Sequence, residues 1–353
     1  MTLKFAVIGC GEIAKKAHLP VLKRMGSVEV VSVVDVRKEV AKNVAKRFRI
    51  KKYYTDITSV LKDEEVDVVV IATPTPTHGK IAIEAAKAGK NIVVEKPLAS
   101  SLEDGLKIKD AVKSNNVKLT VVQNYRYIPA VKKAKTIIHS GLIGSVISSH
   151  GISHTIWPTR WTKGKWLYCE RGVLTDFTPH LVDMMLWILD SKVKDVYAFS
   201  GNITPNCNFI TYAQISLLFE NGSTGSIETS WISGVYHFHL LFTGTAGMLE
   251  LNPRYNTLHL FHGTLTPLDE IKRFLRYSSQ VTKDIITRKF FQLTQETFKQ
   301  FYIDFINSLI YDRKLPVTID EALEVLNVIE KTYEGIRNQK ILLKMKNAIR
   351  EKV

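Results

Sequence analysis

The chain has 353 residues, of which 45% are hydrophobic and 24% charged, with 49 basic and 34 acidic side chains and a net charge of +15. This composition excludes a disordered chain, and the length favours two domains. No apolar run reaches the roughly 20 residues of a membrane-spanning helix. The three cysteines, Cys10, Cys169 and Cys207, form no CxxC pair. We therefore expect a cytoplasmic protein without a metal or disulfide scaffold.

The basic residues are spread along the whole chain, mostly beside acidic ones. A solvated lysine-rich surface explains this pattern best, ahead of steering of an anionic substrate and of nucleic-acid binding. We expect neither nucleic acid nor a membrane as a partner.

Residues 1–122 alternate strand and helix patterns. The strand-like runs are KFAVIG, VEVVSVVD, VDVVVIA, NIVVE and KLTVVQ. Ser100 followed by Glu103 has the spacing of a capping box that opens a helix. Alternation of this kind predicts βαβ units, and hence an α/β domain with a doubly wound parallel sheet over residues 1–122.

Residues 123–353 predict a second domain of the α+β class. Helical patterns cover about 128–139, 173–189, 293–312 and 318–349, and the last two helices could pack back on the first domain. Consecutive strand-like runs between about 193 and 263 predict a large, mostly antiparallel sheet. The basic segment 269–292 fits neither template, and a lid, an oligomer arm and a mobile loop remain open for it.

A glycine-rich turn follows the first predicted strand. Gly9, Gly11 and Ala14 have GxGxxA spacing in VIGCGEIA, and Asp35 ends the second strand. In a Rossmann domain such a turn admits a pyrophosphate, and the carboxylate accepts hydrogen bonds from the adenosine ribose. The pattern predicts NAD binding, while Arg37 leaves NADP possible. The loop ATPTPTH, which contains Thr73, Pro74, Thr75 and His78, would face the nicotinamide side.

Two further stretches carry side chains with catalytic potential. Lys96 ends a buried strand in VVEKPLA, although a charge there is more often an ordinary surface residue. Asp176, His180 and Asp183 recur at helical spacing in DFTPHLVDMMLW. Flanking carboxylates can orient an imidazole, whereas a polar stripe is usually a solvated helix face. His237 and His239 share a strand face, but without a third ligand we expect no metal site.

Together these motifs resemble the Gfo/Idh/MocA family of NAD(P)-dependent oxidoreductases. The matching pieces are GCGEIAKKAHLP, Asp35, ATPTPTH, VVEKPLA, QNYRYIPAVKKAKTIIHSGLIGSV and DFTPHLVDMMLW, which cover about half of the chain. One departure is Glu170-Arg171-Gly172, where the family often has a run of glycines. The resemblance therefore implies the chemistry more directly than the identity of the substrate.

The resemblance implies roles for individual residues. Lys96, Asp176 and His180 match the catalytic positions. The implied substrate-binding residues are Tyr125, Arg126, Trp157, Arg160 and Trp161. The implied cofactor-binding residues are Gly9, Gly11, Glu12, Ile13, Ala14, Asp35, Arg37, Thr73, Pro74, Thr75, His78, Glu95, Lys96 and Asn124.

The expected activity is oxidation of a secondary alcohol of a sugar, polyol or sugar nucleotide, with hydride transfer to a nicotinamide. The alternatives are an NAD-dependent glycosidase of the same family and a non-catalytic nucleotide-sensing regulator. We also expect a homodimer or homotetramer formed through the open face of the second sheet, where Tyr212, Thr229 and Trp231 are predicted to lie.

Overall fold

The computed structural model describes residues 2–155, 171–201, 207–263, 266–268, 271–272, 274–275, 278–279, 282 and 289–350. The chain divides into two compact units. The first, the Rossmann unit, comprises Met1–Tyr127 and Phe291–Leu326. The second, the sheet unit, comprises Ile128–Phe290 and Asn327–Val353. Because both units are discontinuous in sequence, a boundary near residue 122 between independently folding domains stays a prediction.

The Rossmann unit contains a six-stranded sheet whose neighbouring strands are all parallel, in the order β3-β2-β1-β4-β5-β6. This order reverses direction between β1 and β4, which is where such sheets bind ligands. The strands are β1 Leu3–Ile8, β2 Val28–Val34, β3 Lys52–Tyr54, β4 Val68–Ile71, β5 Asn91–Glu95 and β6 Leu119–Val122. A π-helical turn, Ala14–His18, leads into α1 Leu19–Leu22, followed by α2 Lys38–Phe48, α3 Thr58–Leu61, α4 His78–Lys87 and α5 Leu102–Ser114.

Both faces of this sheet are buried, which explains the unbroken apolar runs. Phe5 and Val7 of β1 belong to one core, and Ala6 and Ile8 to the other. Helix α8, Lys289–Tyr311, closes the first core with aromatic side chains that are at most 2% exposed. Burial of each large apolar side chain contributes roughly 1.5–3 kcal/mol. These residues are Phe298, Phe301, Tyr302 and Phe305.

The sheet unit contains a seven-stranded sheet in the order β13-β12-β11-β7-β10-β9-β8. Only the β7–β10 pair is parallel among these described strands. The strands are β7 Val146–His154, β8 Val193–Phe199, β9 Tyr212–Phe219, β10 Thr224–Ser230, β11 His237–Gly244, β12 Met248–Asn252 and β13 Thr257–Phe261. Among the described residues, further α-helices are α6 Pro129–His139, α7 Thr178–Leu189 and α9 Ile319–Arg350. The predicted fold class, a Rossmann sheet followed by a mostly antiparallel α+β part, is confirmed.

Two local predictions are wrong. The cap of α5 is Ser101, whose side chain accepts a hydrogen bond from the Asp104 amide at 3.1 Å, so the expected pair Ser100 and Glu103 is displaced by one residue. Thr229 and Trp231 are fully buried and do not lie on an open face. They share the strand parity of the buried Ile227, so alternation assigns them to the buried face in spite of their size.

The described part of the chain has no helix with the length and apolarity needed to cross a bilayer. The segment 269–292 lies largely outside the described residues. In and beside this segment, four described apolar residues are between 55% and 68% exposed: Leu268, Ile271, Phe274 and Leu275.

Candidate cofactor and catalytic site

The turn after β1 has the geometry of a dinucleotide-binding loop. Gly9 has φ +99°, and a Cβ there would lie 2.4 Å from the carbonyl oxygen of Ala72, so only glycine fits. By contrast, a Cβ at Gly11 would meet nothing within 4 Å. Gly11 therefore borders open space at the start of the first helical segment, where a phosphate can approach the backbone. The residues present fit the pyrophosphate of NAD.

The residues after Gly11 divide into exposed and buried positions. Glu12 forms ion pairs with Lys15 at 2.5 Å and Lys16 at 2.9 Å, and these hydrogen bonds lower the pKa of Glu12 to about 2. Ile13 is 38% exposed, whereas Ala14 is fully buried in the core. Ala14 therefore keeps the helix close to the sheet.

Asp35 lies directly after β2, at the position expected for a ribose-binding carboxylate. Its Oδ1 accepts hydrogen bonds from the amide and Nε of Arg37, at 3.0 and 2.9 Å. Its Oδ2 accepts from the Cys10 amide at 3.2 Å and from Arg37 Nη2 at 3.1 Å. Burial raises the pKa of Asp35, but these hydrogen bonds outweigh it and the pKa is lowered. The carboxylate is therefore ionised and oriented.

The loop after β4 is tied to the loop after β5 by His78. The ring of His78 lies 2.9 Å from the carbonyl oxygen of Pro97 through Nδ1 and 2.9 Å from that of Thr73 through Nε2. The Thr73 hydroxyl in turn accepts a hydrogen bond from Thr77 at 2.7 Å. His78 is 1% exposed, so it supports the backbone of this loop.

Lys96 stands at the carboxyl end of β5, as the sequence indicates. The side chain is half-buried, and the bond from Lys96 to Pro97 is cis. The Lys96 amide donates a hydrogen bond to Oε2 of Glu95 at 3.2 Å. The lysine backbone is thus held by a carboxylate one residue before it.

The residues after β6 have two different environments. Asn124 is buried and its amide donates to the Thr297 hydroxyl at 3.3 Å. Arg126 is 4% exposed and pairs with Glu321 at 3.2 Å. This buried ion pair favours a structural role for Arg126. Its neighbour Tyr125 is half-buried.

Asp176 and His180 lie in the sheet unit, at the start of α7. Asp176 occupies the turn before the helix, and its Oδ2 accepts a hydrogen bond from Trp231 Nε1 at 3.1 Å. His180 lies in the first turn of α7 and is 7% exposed. The centroid of its ring lies 6.0 Å from the centroid of the Phe177 ring. Asp183 is 1% exposed, so the polar stripe of α7 is not a solvated face.

Arg171, in the stretch where the family often has a run of glycines, makes two interactions of its own. Arg171 Nη2 lies 2.6 Å from Glu330 Oε1, and its guanidinium lies over the ring of Tyr333. Gly172 has φ +44° and passes so close to the carbonyl of Ile210 that no side chain fits. Trp157, Arg160 and Trp161 lie outside the described residues.

Two residues that are hydrogen-bonded in a row to Glu95 were given no role by sequence reasoning. These are His18 and Tyr302, whereas Trp231, which bonds Asp176, was predicted only to lie on an open sheet face. His18 falls inside GCGEIAKKAHLP, so the motif signalled it, whereas Tyr302 comes from a helix almost 300 residues later. On the sheet, His239 pairs with Glu250 at 3.0 Å and stacks on His237. Within the described residues, no group of three or more potential ligands could hold a metal ion.

Comparison with known proteins identifies the class. Residues 3–123 match the sequence model of an oxidoreductase family with an NAD-binding Rossmann fold, and residues 131–250 match the GFO/IDH/MocA C-terminal domain. The scyllo-inositol 2-dehydrogenase (NAD(+)) of Bacillus subtilis is 30% identical over 240 residues, which cover 67% of this chain and 69% of that protein. The uncharacterized oxidoreductase YrbE of the same species is 31% identical over 229 residues, covering 64% of this chain and 66% of YrbE, just under two thirds.

A solved structure extends the likeness over almost the whole fold. The WlbA dehydrogenase from Bordetella pertussis, in complex with NADH and UDP-GlcNAcA, has a TM-score of 0.80 and covers 96% of each chain. At 22% identity, this likeness concerns the fold.

These matches place the chain in an oxidoreductase family with an NAD-binding Rossmann fold. The chain belongs to the Gfo/Idh/MocA family, and its Rossmann unit is the NAD-binding domain of that family.

Proposed function

We propose that the protein is an NAD-dependent dehydrogenase that oxidises a secondary alcohol of a sugar, polyol or sugar nucleotide. The observation that carries this proposal is the combination of the Gly9–Gly11 turn with an ionised, oriented Asp35. The substrate class is supported by two relatives of different kinds, the inositol dehydrogenase and the nucleotide-sugar complex of WlbA.

The proposed roles follow from the chemistry of each side chain. NAD, when bound, supplies the hydride acceptor. Lys96 donates a hydrogen bond to the reacting hydroxyl and favours its ionised form. His180 accepts the hydroxyl proton, since an imidazole can do so near neutral pH. Asp176, whose Oδ2 is fixed by Trp231, orients the imidazole or a second hydroxyl.

The preferred cofactor in this proposal is NAD(H). Asp35 would accept hydrogen bonds from the ribose 2′-hydroxyl and repel a 2′-phosphate. Arg37 neutralises part of that charge, and its side chain is 66% exposed and could turn toward a phosphate. Titration of NADH and NADPH into the wild-type protein and Asp35→Asn decides this point. We expect tighter NADH binding in the wild type and a smaller difference in Asp35→Asn. Equal or tighter NADPH binding in the wild type would show that Arg37 outweighs Asp35.

The central experiment is a screen for NAD⁺ reduction over inositols, free sugars and nucleotide sugars. We expect NADH to accumulate with at least one of them. Release of a free sugar from a nitrophenyl glycoside without net NADH formation would instead identify the glycosidase. Tight NADH binding with no turnover of any compound would favour the sensor, although a sensor has no need of both Lys96 and His180.

The protein is also proposed to form a homo-oligomer through the open face of the seven-stranded sheet, and to function in the cytoplasm. On that face Tyr197 is 67% and Phe199 is 58% exposed, which is unusual for large aromatic side chains. Cys10 and Cys207 are free thiols, as a reducing compartment requires. Light scattering at micromolar concentration tests the assembly, and the mass of a monomer would contradict it.

A further inference from the structure

A buried row of hydrogen bonds runs from helix α8 to the backbone of Lys96. The Tyr302 hydroxyl lies 2.6 Å from Nδ1 of His18, and Nε2 of His18 lies 2.9 Å from Oε1 of Glu95. The other oxygen of Glu95 accepts the hydrogen bond from the Lys96 amide at 3.2 Å. Every link lies inside the Rossmann unit.

The direction of these hydrogen bonds follows from the groups involved. An ionised carboxylate only accepts, so Nε2 of His18 carries a proton toward Glu95. Burial raises the pKa of Tyr302 well above its usual value, so its hydroxyl keeps its proton. With a neutral imidazole, that hydroxyl donates to Nδ1, and each donor in the row then has one acceptor.

The end of this row nearest to α8 is fully buried. His18 and Tyr302 are both 0% exposed, and the His18 ring packs edge-on against Phe298 at 5.0 Å. A hydrogen bond in such a site is stronger than in water, and an unpaired partner is correspondingly costly. Glu95 is therefore restrained through one oxygen while it holds the lysine amide with the other.

We propose that His18 and Tyr302 are positioning residues, which fix Glu95 and through it the backbone of Lys96. The proposal deepens the proposed function, since it rests on Lys96 acting on the substrate. It assigns a role to the histidine four residues after Ala14 and to a tyrosine of a distant helix. A shift of about 1 Å in a catalytic group can cost roughly 100-fold in rate, so small losses of restraint are measurable.

A direct test observes the Lys96 amide without any substrate. The sequence has only three Glu-Lys pairs, at Lys96, Lys331 and Lys352. Labelling glutamate carbonyls with ¹³C and lysine amides with ¹⁵N therefore selects the signals of these three lysine amides. The signal that is lost in Lys96→Met belongs to Lys96. We expect Tyr302→Phe, which keeps the ring and removes the hydroxyl, to shift the Lys96 amide signal. His18→Asn should shift it further.

Tyr127→Phe is the matched control. It also removes a tyrosine hydroxyl that bonds α8, but that hydroxyl donates to Asp304, at 2.9 Å. We expect this variant to leave the Lys96 signal, NADH affinity and kcat as in the wild type. In Tyr302→Phe, kcat should fall roughly 10- to 100-fold with NADH affinity within about twofold.

The outcomes separate the two proposals. An unchanged Lys96 amide in Tyr302→Phe, or an equal change in Tyr127→Phe, would overturn the positioning role. A shifted amide together with undiminished kcat would leave the restraint of Lys96 established and would contradict its role in the proposed reaction.

Discussion

The two sheets use their sequences in different ways. In the Rossmann sheet, both faces are buried and the polar residues collect at the carboxyl ends of the strands, where Asp35 and Glu95 stand next to β2 and within β5. In the seven-stranded sheet, one face packs on helices and the polar residues alternate along the strands. In the Rossmann sheet, strand order therefore determines the edge at which the candidate functional residues lie. In the sheet unit, the role of a residue depends on which face of its strand or helix it occupies.

This difference predicts that substitutions at the edge of the Rossmann sheet act on chemistry or cofactor binding with little loss of fold. Lys96→Met gives the largest expected effect, because it removes the hydrogen-bond donor and the charge together. We expect kcat to fall by roughly 10²–10⁴-fold. Lys87→Met, at an exposed position of α4, is the control and should retain wild-type turnover. Wild-type kcat in Lys96→Met would remove the lysine from the mechanism.

The two glycines of the turn after β1 should respond differently to substitution. Gly11→Ala places a methyl group in open space, so the melting temperature should stay as in the wild type while NADH binds roughly tenfold more weakly. Gly9→Ala should instead lower the melting temperature, since its Cβ would overlap the Ala72 carbonyl.

Gly26→Ala serves as the control for both, because its Cβ also meets nothing within 4 Å. Calorimetry and NADH fluorescence on the three variants decide the assignment. Unchanged NADH affinity in Gly11→Ala would contradict a pyrophosphate at this turn.

The pH dependence of stability gives a smaller effect. Burial, the largest cause, lowers the pKa of His78, and the carbonyls of Pro97 and Thr73 only partly oppose it. Those two acceptors favour the doubly protonated ring, but burial dominates and the folded protein holds His78 neutral. The unfolded chain then binds the proton more readily, so stability is full above about pH 6.5 and is lost as the pH falls toward the lowered folded value.

The free energy of unfolding falls as the pH decreases. We expect the protonation of His78 to add at most about 1.4 kcal/mol per pH unit to that slope. Urea unfolding of the wild type and His78→Gln between pH 5.5 and 7.5 measures it. The variant should show the shallower dependence. Equal slopes would mean that His78 has the same proton affinity in both states.

The sequence predicted the edge of the Rossmann sheet well, because the strand runs, the GxGxxA turn and the residue after each strand are local signals. It predicted the sheet unit less well. Alternation indicated strands of this sheet, but Thr229 and Trp231 were placed on the wrong face. The hydrogen bond between Tyr302 and His18 could not be predicted, since no local sequence pattern signals a contact between residues 284 positions apart.

One measurement tests most directly the claim that cofactor binding and proton transfer belong to different parts of the chain. NADH titration and steady-state turnover are measured on His180→Asn, together with its melting temperature. We expect an NADH affinity within about twofold of the wild type and a kcat lower by roughly 10²–10⁴-fold. His237→Asn on β11 is the control and should match the wild type in both. A wild-type kcat in folded His180→Asn, with only a lowered melting temperature, would show a structural histidine and contradict the account.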